Sequence, residues 1–333
     1  MLIRVVTYVL AQHSYAITVK FIKQVVIFFP MKAFVTGGSG FIAFPLVKRL
    51  LDDGHSVRVL DLKEPPIRYP KLEFLNKSIM DDISEDIRGS DVVFHFAAIL
   101  GVDNSDKHPL DTMRINLEGS VNVFKSAIKA GVKNMVYSSS SEVYGEPREL
   151  PIKESSTKGP VSTYGVSKLA AEIYANAFNQ EFNTDIKIVR FFNVYGPRQL
   201  ENWVVPIFLG KALKNEPITV FGQGNQTRCF TYVDDVIDGI MTLVRKGSRG
   251  EAYNIGNNQP TTMLELAQTV KEITISRSEI VKLGFGSNTR LREREIEYRI
   301  PDISKMKALG WQPKIMIKEG IKKILEYRSK NND

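Results

Sequence analysis

The sequence predicts an α/β protein built on a doubly wound parallel sheet, with a smaller, discontinuous substrate-binding domain towards the C-terminus. Three observations predict it. Short apolar runs recur at 32–36, 57–60, 91–98, 134–138, 186–190 and 251–256, and runs without strict polar alternation suit strands buried on both faces. Several are followed by apolar residues at helical spacing, as in 45–51, 117–128 and 169–178, the sign of βαβ units. The first run closes in Gly37-Gly38-Ser39-Gly40, a glycine turn between a strand and a helix.

That turn comes first in the chain's logic. It continues as Phe41-Ile42-Ala43 and then Pro45-Leu46-Val47-Lys48-Arg49-Leu50-Leu51. Glycines let the backbone pass close to a pyrophosphate, and the free N–H groups of the following helix attract its charge. The turn residues Gly37, Ser39, Gly40, Phe41 and Ile42 are therefore the expected dinucleotide contacts. The second strand ends at Asp61, about twenty residues past the turn, where a carboxylate accepts from ribose hydroxyls and repels a 2′-phosphate. NAD is favoured over NADP on that ground, although Lys63 weakens the argument. The run 91–98 ends in Ala97 and Ala98, small enough for a cofactor to pass. His95 inside it reads as a core histidine with its hydrogen bonds satisfied.

The totals narrow the partners. A chain of 333 residues holds one large domain or two packed lobes. Three of its eight excess positive charges, Arg4, Lys20 and Lys23, lie in the first thirty residues. The other lysines are scattered, with no basic run interleaved with stacking aromatics. That argues against nucleic acid and suits a small anionic ligand. The single Cys229 rules out an intrachain disulfide and fits a reducing, cytoplasmic setting. No Cys/His cluster has zinc-ligand spacing, so no metal is expected. Residues 1–30 carry apolar patches interrupted by Gln12, His13, Lys20 and Lys23. No run approaches the ~20 apolar residues that crossing a bilayer requires, so no membrane partner is expected. This segment reads as an extension upstream of a domain starting at Met31.

The chemistry is concentrated between Tyr137 and Lys168. Ser138 to Ser141 sit at the end of a strand, followed by Glu142-Val143-Tyr144-Gly145, and Tyr164-Gly165-Val166-Ser167-Lys168 opens a helix. Tyr164 and Lys168 lie one turn apart on one helix face. An ammonium there favours the phenolate and is expected to lower the tyrosine pKa from about 10 towards neutrality, where it acts as a general base. Alone, a Tyr-x-x-x-Lys pair is more often a solvated surface pair. The serines upstream and the glycine turn change that balance.

With these motifs the chain resembles the extended short-chain dehydrogenase/reductase family, in its NAD-dependent nucleotide-sugar epimerase and dehydratase branch. The resemblance runs from about Met31 to the C-terminus and implies a Rossmann-type sheet. It departs at Ala43, where the family has a third glycine, and at Ser78 and Ile79, where an acid contacting adenine is expected. It implies NAD-binding residues at 31–195, with 226–257 returning to them, and a nucleotide-sugar-binding domain from 196–225 and 258–333. By this likeness Ser140, counted back from Val143-Tyr144-Gly145, holds the reacting oxygen with Tyr164 and Lys168. Asn116 orders the site, Phe191 faces the cofactor, Asn193 bonds the substrate phosphates, and Arg228 and Arg292 grip the diphosphate. Asp234 and Asp235 read as charges complementing a helix N-terminus. A homodimer is implied too, through the helices bearing Leu117, Val121, Phe124, Ile128 and Leu169, Ile173, Ala177, Phe178. Core packing is the default for either stripe.

Two outcomes fit the motif after Ser140. A UDP-glucose type 4-epimerase forms a transient 4-ketone and reduces it from the other face. A UDP-glucuronate decarboxylase keeps a Ser-Glu pair here, which Ser141-Glu142 matches. A 4,6-dehydratase uses an Asp-Glu pair and is disfavoured by Ser141. A carbonyl reductase that consumes its nicotinamide cofactor is disfavoured by the phosphate-binding set, and a non-catalytic sensor by the intact tyrosine, lysine and glycine turn.

Overall fold

The computed structural model describes residues 30–284 and 296–331. Residues 1–29 of the expected extension, and Arg292, lie outside the described residues.

Fourteen strands are described: β1 (Lys32–Thr36), β2 (Ser56–Asp61), β3 (Leu72–Asn76), β4 (Val92–His95), β5 (Asn134–Ser140), β6 (Asp185–Phe191), β7 (Val194–Tyr195), β8 (Ile218–Phe221), β9 (Thr227–Arg228), β10 (Thr231–Tyr232), β11 (Ala252–Ile255), β12 (Thr261–Thr262), β13 (Ile280–Leu283) and β14 (Tyr298–Arg299). Seven of them form one parallel sheet in the order β11-β6-β5-β4-β1-β2-β3. The order reverses direction between β1 and β4, so the crevice at their carboxyl ends is a switch point where ligands settle. Phe34, Val35, Val59, Val93, Phe94, Val136 and Val189 are all 1% exposed or less. Burial on both faces explains their unbroken apolar runs.

The long helices are α1 (Ala43–Asp52), α2 (Gly119–Lys129), α3 (Thr163–Glu181), α4 (Val204–Leu213), α5 (Val233–Lys246), α6 (Met263–Thr274) and α7 (Ile317–Asn331). Helix α1 buries Leu46, Val47, Leu50 and Leu51 against the core that also holds β1 and β2. Each such side chain contributes roughly 1.5–3 kcal/mol on leaving water. Among the described residues no helix is long and apolar enough to cross a membrane.

Periodicity missed one strand and misplaced part of one helix face. The edge strand β3 was not foreseen, because Leu72 and Phe74 alternate with polar residues and stay partly buried, a weak signal at a sheet edge. In α3 the expected core stripe splits: Phe178 is buried and Leu169 partly so, but Ile173 is 61% exposed and Ala177 is exposed, while Ala171 and Ala175 pack inward. The inward face was missed because it carries small and polar residues, among them Ser167, Lys168 and Glu172. Asp234 and Asp235 do open α5. The Asp235 carboxylate, however, accepts from the backbone N–H groups of Lys314 (3.0 Å) and Ile315 (2.8 Å), anchoring the segment before α7.

A second, three-stranded sheet, β12-β9-β14, pairs Arg228 with Arg299 in parallel register. With the bridge from Ile152 to Pro301, it brings the C-terminal part of the chain over the end of β5.

Candidate active site

The three serines ending β5 meet three residues of α3. The carbonyl of Ser138 accepts from Lys168 Nζ at 2.8 Å. The Ser139 hydroxyl donates to Glu172 at 2.5 Å. Ser140 stands beside Tyr164 and favours its ionised form. Ser140 also caps the short turn Ser141–Tyr144, accepting from Glu142 N at 3.2 Å. The Ser162 side chain caps α3 by accepting from Gly165 N, which fixes where Tyr164 enters the site.

The electrostatics differ from the sequence-based expectation. Burial pushes the Tyr164 phenol above its ordinary value, the nearby Glu142 charge pushes it further, and only Ser140 opposes them. Burial also draws Lys168 down to about 7, against the charge of Glu172. The anticipated cation-driven fall therefore does not occur in this state. The reason is desolvation: two titratable groups leave water together, each favouring its neutral form. Lys168 Nζ also lies over the tyrosine ring, 5.9 Å from its centroid, with its hydrogen bond directed to Ser138.

Glu142 is gripped by Arg299, whose Nη1 contacts Oε1. Burial alone would raise this carboxyl, but the charges of Arg299 and Arg228 hold it below the usual carboxylate range. Arg299 is 5% exposed, and its Nε is buried without a partner. Sequence reasoning missed it. The signal was a lone arginine in Tyr298-Arg299-Ile300 before a proline: strand alternation exposes Tyr298 and buries Arg299.

The glycine turn lies against the end of β4. Gly37 has φ +70°, and a Cβ there would lie 2.6 Å from the backbone N of Ala97. Only glycine allows β1 and the end of β4 to approach so closely. Asp61 accepts from Ser39 N and Lys63 N, both at 3.0 Å, and this holds its carboxylate beside the turn with lone pairs to spare. Ile42 stands at the N-cap of α1 with no side-chain cap, and no acid lies in the first turn. That leaves the positive end of the helix dipole for an anion. Phe41, Ala97 and Ala98 beside it are partly buried, as is Ser39, and Gly40 is exposed. Phe191 pairs in register with Ser140 and lies 6.0 Å from the ring of Phe96.

Asn116 reaches across this crevice. Its side chain accepts from Ile99 N (2.7 Å) and donates to Ile99 O (3.0 Å) and Ser167 Oγ (3.1 Å). The loop after β4 is thereby tied to the helix of Tyr164. His95 is a neutral core residue: burial takes it down to about 3, and it bonds Thr36 and Ser120. On the far side, Asn193 sits at φ +40° with its amide Nδ2 buried and unpartnered. Arg228 donates from Nη1 to its neighbour Thr227 O at 3.0 Å. Cys229 is buried, as a packing residue should be.

Known proteins share this fold. The NAD dependent epimerase/dehydratase family matches residues 33–256. A Methanocaldococcus jannaschii protein provisionally named UDP-glucose 4-epimerase is 38% identical over 309 residues, covering 90% of this chain and 98% of its own. UDP-glucuronic acid decarboxylase 1 of Danio rerio is 32% identical, covering 89% of this chain and 72% of its own. The crystal structure of UDP-glucose 4-epimerase from Thermotoga maritima with UDP-glucose superposes with a TM-score of 0.84 at 34% identity, covering 91% of this chain and all of that one. Glycine crevice, serine strand end and Tyr-x-x-x-Lys helix thus occur together in a chain that belongs to the NAD-dependent epimerase/dehydratase family, whose enzymes modify nucleotide sugars.

Proposed function

We propose that this enzyme interconverts the C4 epimers of a UDP-hexose of the glucose/galactose type through a transient 4-keto sugar. The observation that carries the reading is the register that sets the serines ending β5 against the inner face of α3, with Ser138 O on Lys168 Nζ at 2.8 Å and Ser140 beside Tyr164. It joins a proton acceptor and an oxygen-holding hydroxyl where an alcohol would meet the cofactor. NAD, when bound, supplies hydride acceptance and return at its nicotinamide.

The residues have these roles. Tyr164 Oη takes the proton of the 4-hydroxyl while the C4–H bond breaks, and returns it when the ketone is reduced from its other face. Ser140 Oγ holds the same oxygen throughout. Lys168 supports the phenolate and the nicotinamide ribose. Arg299 keeps Glu142 paired, which limits how far that carboxylate disfavours the phenolate. The unpartnered Asn193 amide is a donor suited to a diphosphate oxygen, and Arg228 adds a permanent charge on that side. Gly37, Ser39, Gly40, Phe41, Ile42, Asp61, Ala97, Ala98 and Phe191 line the cofactor, and Asn116 steadies it. The NAD-binding part comprises 31–195 and 226–257, and the nucleotide sugar is held by 196–225 and 258–333.

A second reading is favoured by one observation. The Arg299 guanidinium beside Glu142 suits a substrate whose C6 is a carboxylate, and a 4-ketone makes that acid a β-keto acid. Its C5–C6 bond then breaks, carbon dioxide leaves, and the electron pair stays as an enolate to be protonated. Dehydration is disfavoured, because Glu142 held ionised is a poor proton donor to a leaving hydroxyl. An NMR time course with UDP-glucose, UDP-N-acetylglucosamine and UDP-glucuronate separates these readings. A UDP-hexose 4-epimer is the expected product; a UDP-pentose from UDP-glucuronate supports the second reading, and a 4-keto-6-deoxy sugar overturns both.

The outward face of α2 and α3, with Leu117, Val121, Ile173 and Tyr174, is proposed to pair with a second copy. Light scattering at micromolar concentration is expected to give twice the chain mass, and Ile173→Glu to halve it. A monomeric wild type would refute the pairing.

A further inference from the structure

Beneath the reacting groups lies a buried polar network that the proposed reaction does not use. Glu172 and Arg190 are 2% and 4% exposed. Arg190 donates to both carboxylate oxygens, from Nε to Oε1 at 2.9 Å and from Nη2 to Oε2 at 2.7 Å. Glu172 also takes the Ser139 hydroxyl at 2.5 Å. The second arm of Arg190 donates from Nη1 to Tyr144 Oη and to Glu154 O, both at 2.8 Å, and Tyr144 Oη donates to Asn254 at 2.7 Å. The network therefore links β5, β6, β11 and the turn after Ser140.

Stability is a weak reason to keep such a pair, since well-packed apolar residues of similar volume often serve as well or better. Its placement gives another. Tyr164, Lys168 and Glu172 follow one another at four-residue spacing along the inner face of α3. Two of the three consecutive serines of β5 hydrogen-bond there, Ser138 with Lys168 and Ser139 with Glu172, and Ser140 stands beside Tyr164.

We propose that Glu172 is a positioning residue whose carboxylate, locked by Arg190 and Ser139, holds the Lys168 side chain charged and aligned for the Tyr164 hydroxyl. This rests on the reading of Tyr164 and Lys168 as the reacting pair. Lys168 is 2% exposed, and its neighbours can be named element by element. Strand β5 presents the Ser138 carbonyl and the Tyr137 ring, whose centroid is 5.1 Å from Nζ. Strand β4 presents His95, which is neutral. Strand β6 presents Arg190, tied up by Glu172. Helix α3 itself presents Tyr164 and Glu172, with the Glu142–Arg299 pair beyond the phenol. Glu172 is thus the anion that opposes the loss of the lysine proton to burial.

The charge state has a kinetic signature. The working form, phenolate with ammonium, carries the same number of protons as neutral phenol with neutral amine. Its population is therefore level between the two titrations and falls on the acid side as the amine becomes protonated over a still-neutral phenol. The acid limb of turnover then reports Lys168, and removing Glu172 moves it to lower pH.

The test compares wild type, Glu172→Gln and Glu172→Gln/Arg190→Met, each as the NAD-loaded protein. The Lys168 Cε resonance is titrated by NMR, and the pH profile of turnover is recorded alongside. Lys168 is expected to titrate about one unit or more lower in both variants, and the acid limb to shift with it. The double variant avoids an unpaired Arg190 and decides alone if the single variant does not fold. A shift in Glu172→Gln only would assign the effect to the stranded arginine and overturn the proposal, as would no shift in either. The lysine titration needs no turnover, so a wild type inactive on nucleotide sugars would sink the functional reading without touching this result.

Discussion

Tyr164→Phe is expected to cut turnover by about 10²–10⁴-fold, the range a general base contributes, while the protein still purifies with NAD bound. The substitution removes one oxygen and keeps the ring, so packing in α3 is preserved. Ser140 keeps its hydrogen bond from Glu142 N at 3.2 Å, so the turn it caps is undisturbed. The check has two parts: the rate of product formation by NMR, and the NAD content of the denatured protein. Turnover within tenfold of wild type would remove Tyr164 from the chemistry. Loss of NAD together with activity would move its role to cofactor binding.

Arg299→Met is expected to cost stability and activity together. Arg299 pairs with Glu142, and their side chains are 6% and 18% exposed. Removing one partner of a buried pair strands the other charge, at about 3–5 kcal/mol; the partial exposure of Glu142 argues for the low end, about 3 kcal/mol. The pH dependence follows from the lowered pKa of Glu142. A carboxyl depressed in the folded state contributes stability above its unfolded value of about 4.3 and loses that contribution as pH falls through the lower folded value. In Arg299→Met the carboxyl is no longer depressed, so the contribution is missing at neutral pH. The difference in Tm between wild type and variant should therefore be greatest near pH 7 and narrow below pH 4. Turnover falls too, because an unpaired Glu142 pushes the Tyr164 phenol further up. Glu142→Gln/Arg299→Met, which strands no charge, should recover most of the stability. Equal melting of wild type and Arg299→Met at pH 7 would show the pair to be inconsequential.

Much of the architecture was legible because its causes are local. A strand buried on both faces must be apolar throughout, so 32–36, 92–95, 185–191 and 252–255 stand out. Gly37 is required by a positive φ and a close backbone approach, and Tyr164 and Lys168 share a face because four residues make about one helical turn. The edge strand β3 and the two-residue strands β9, β12 and β14 lack such a cause, since half-exposed or very short pairings leave little periodicity to read.

The ion pairs were not legible. Glu142 and Arg299 are 157 residues apart, and Glu172 and Arg190 meet only where α3 packs on β6. Arg292 lies outside the described residues, and the register of β14 against β9 brings Arg299 opposite Arg228. The outward turn of Ile173 was likewise hidden, because apolarity marks a face as buried without saying whether its own chain or another surface covers it.

Residue order alone thus determined which chemical groups are present and which neighbours along the chain share a face: the glycine turn, the serines ending β5, and the tyrosine and lysine of α3. Only the folded chain decided their charges. A pKa depends on how much water is excluded and on which distant ions close the space, and both are properties of how β5, β6, α3 and β14 come together. Proton affinity at Tyr164 and Lys168 is therefore set by desolvation and by Glu142, Arg299 and Glu172, in a direction that the spacing of the two residues did not reveal.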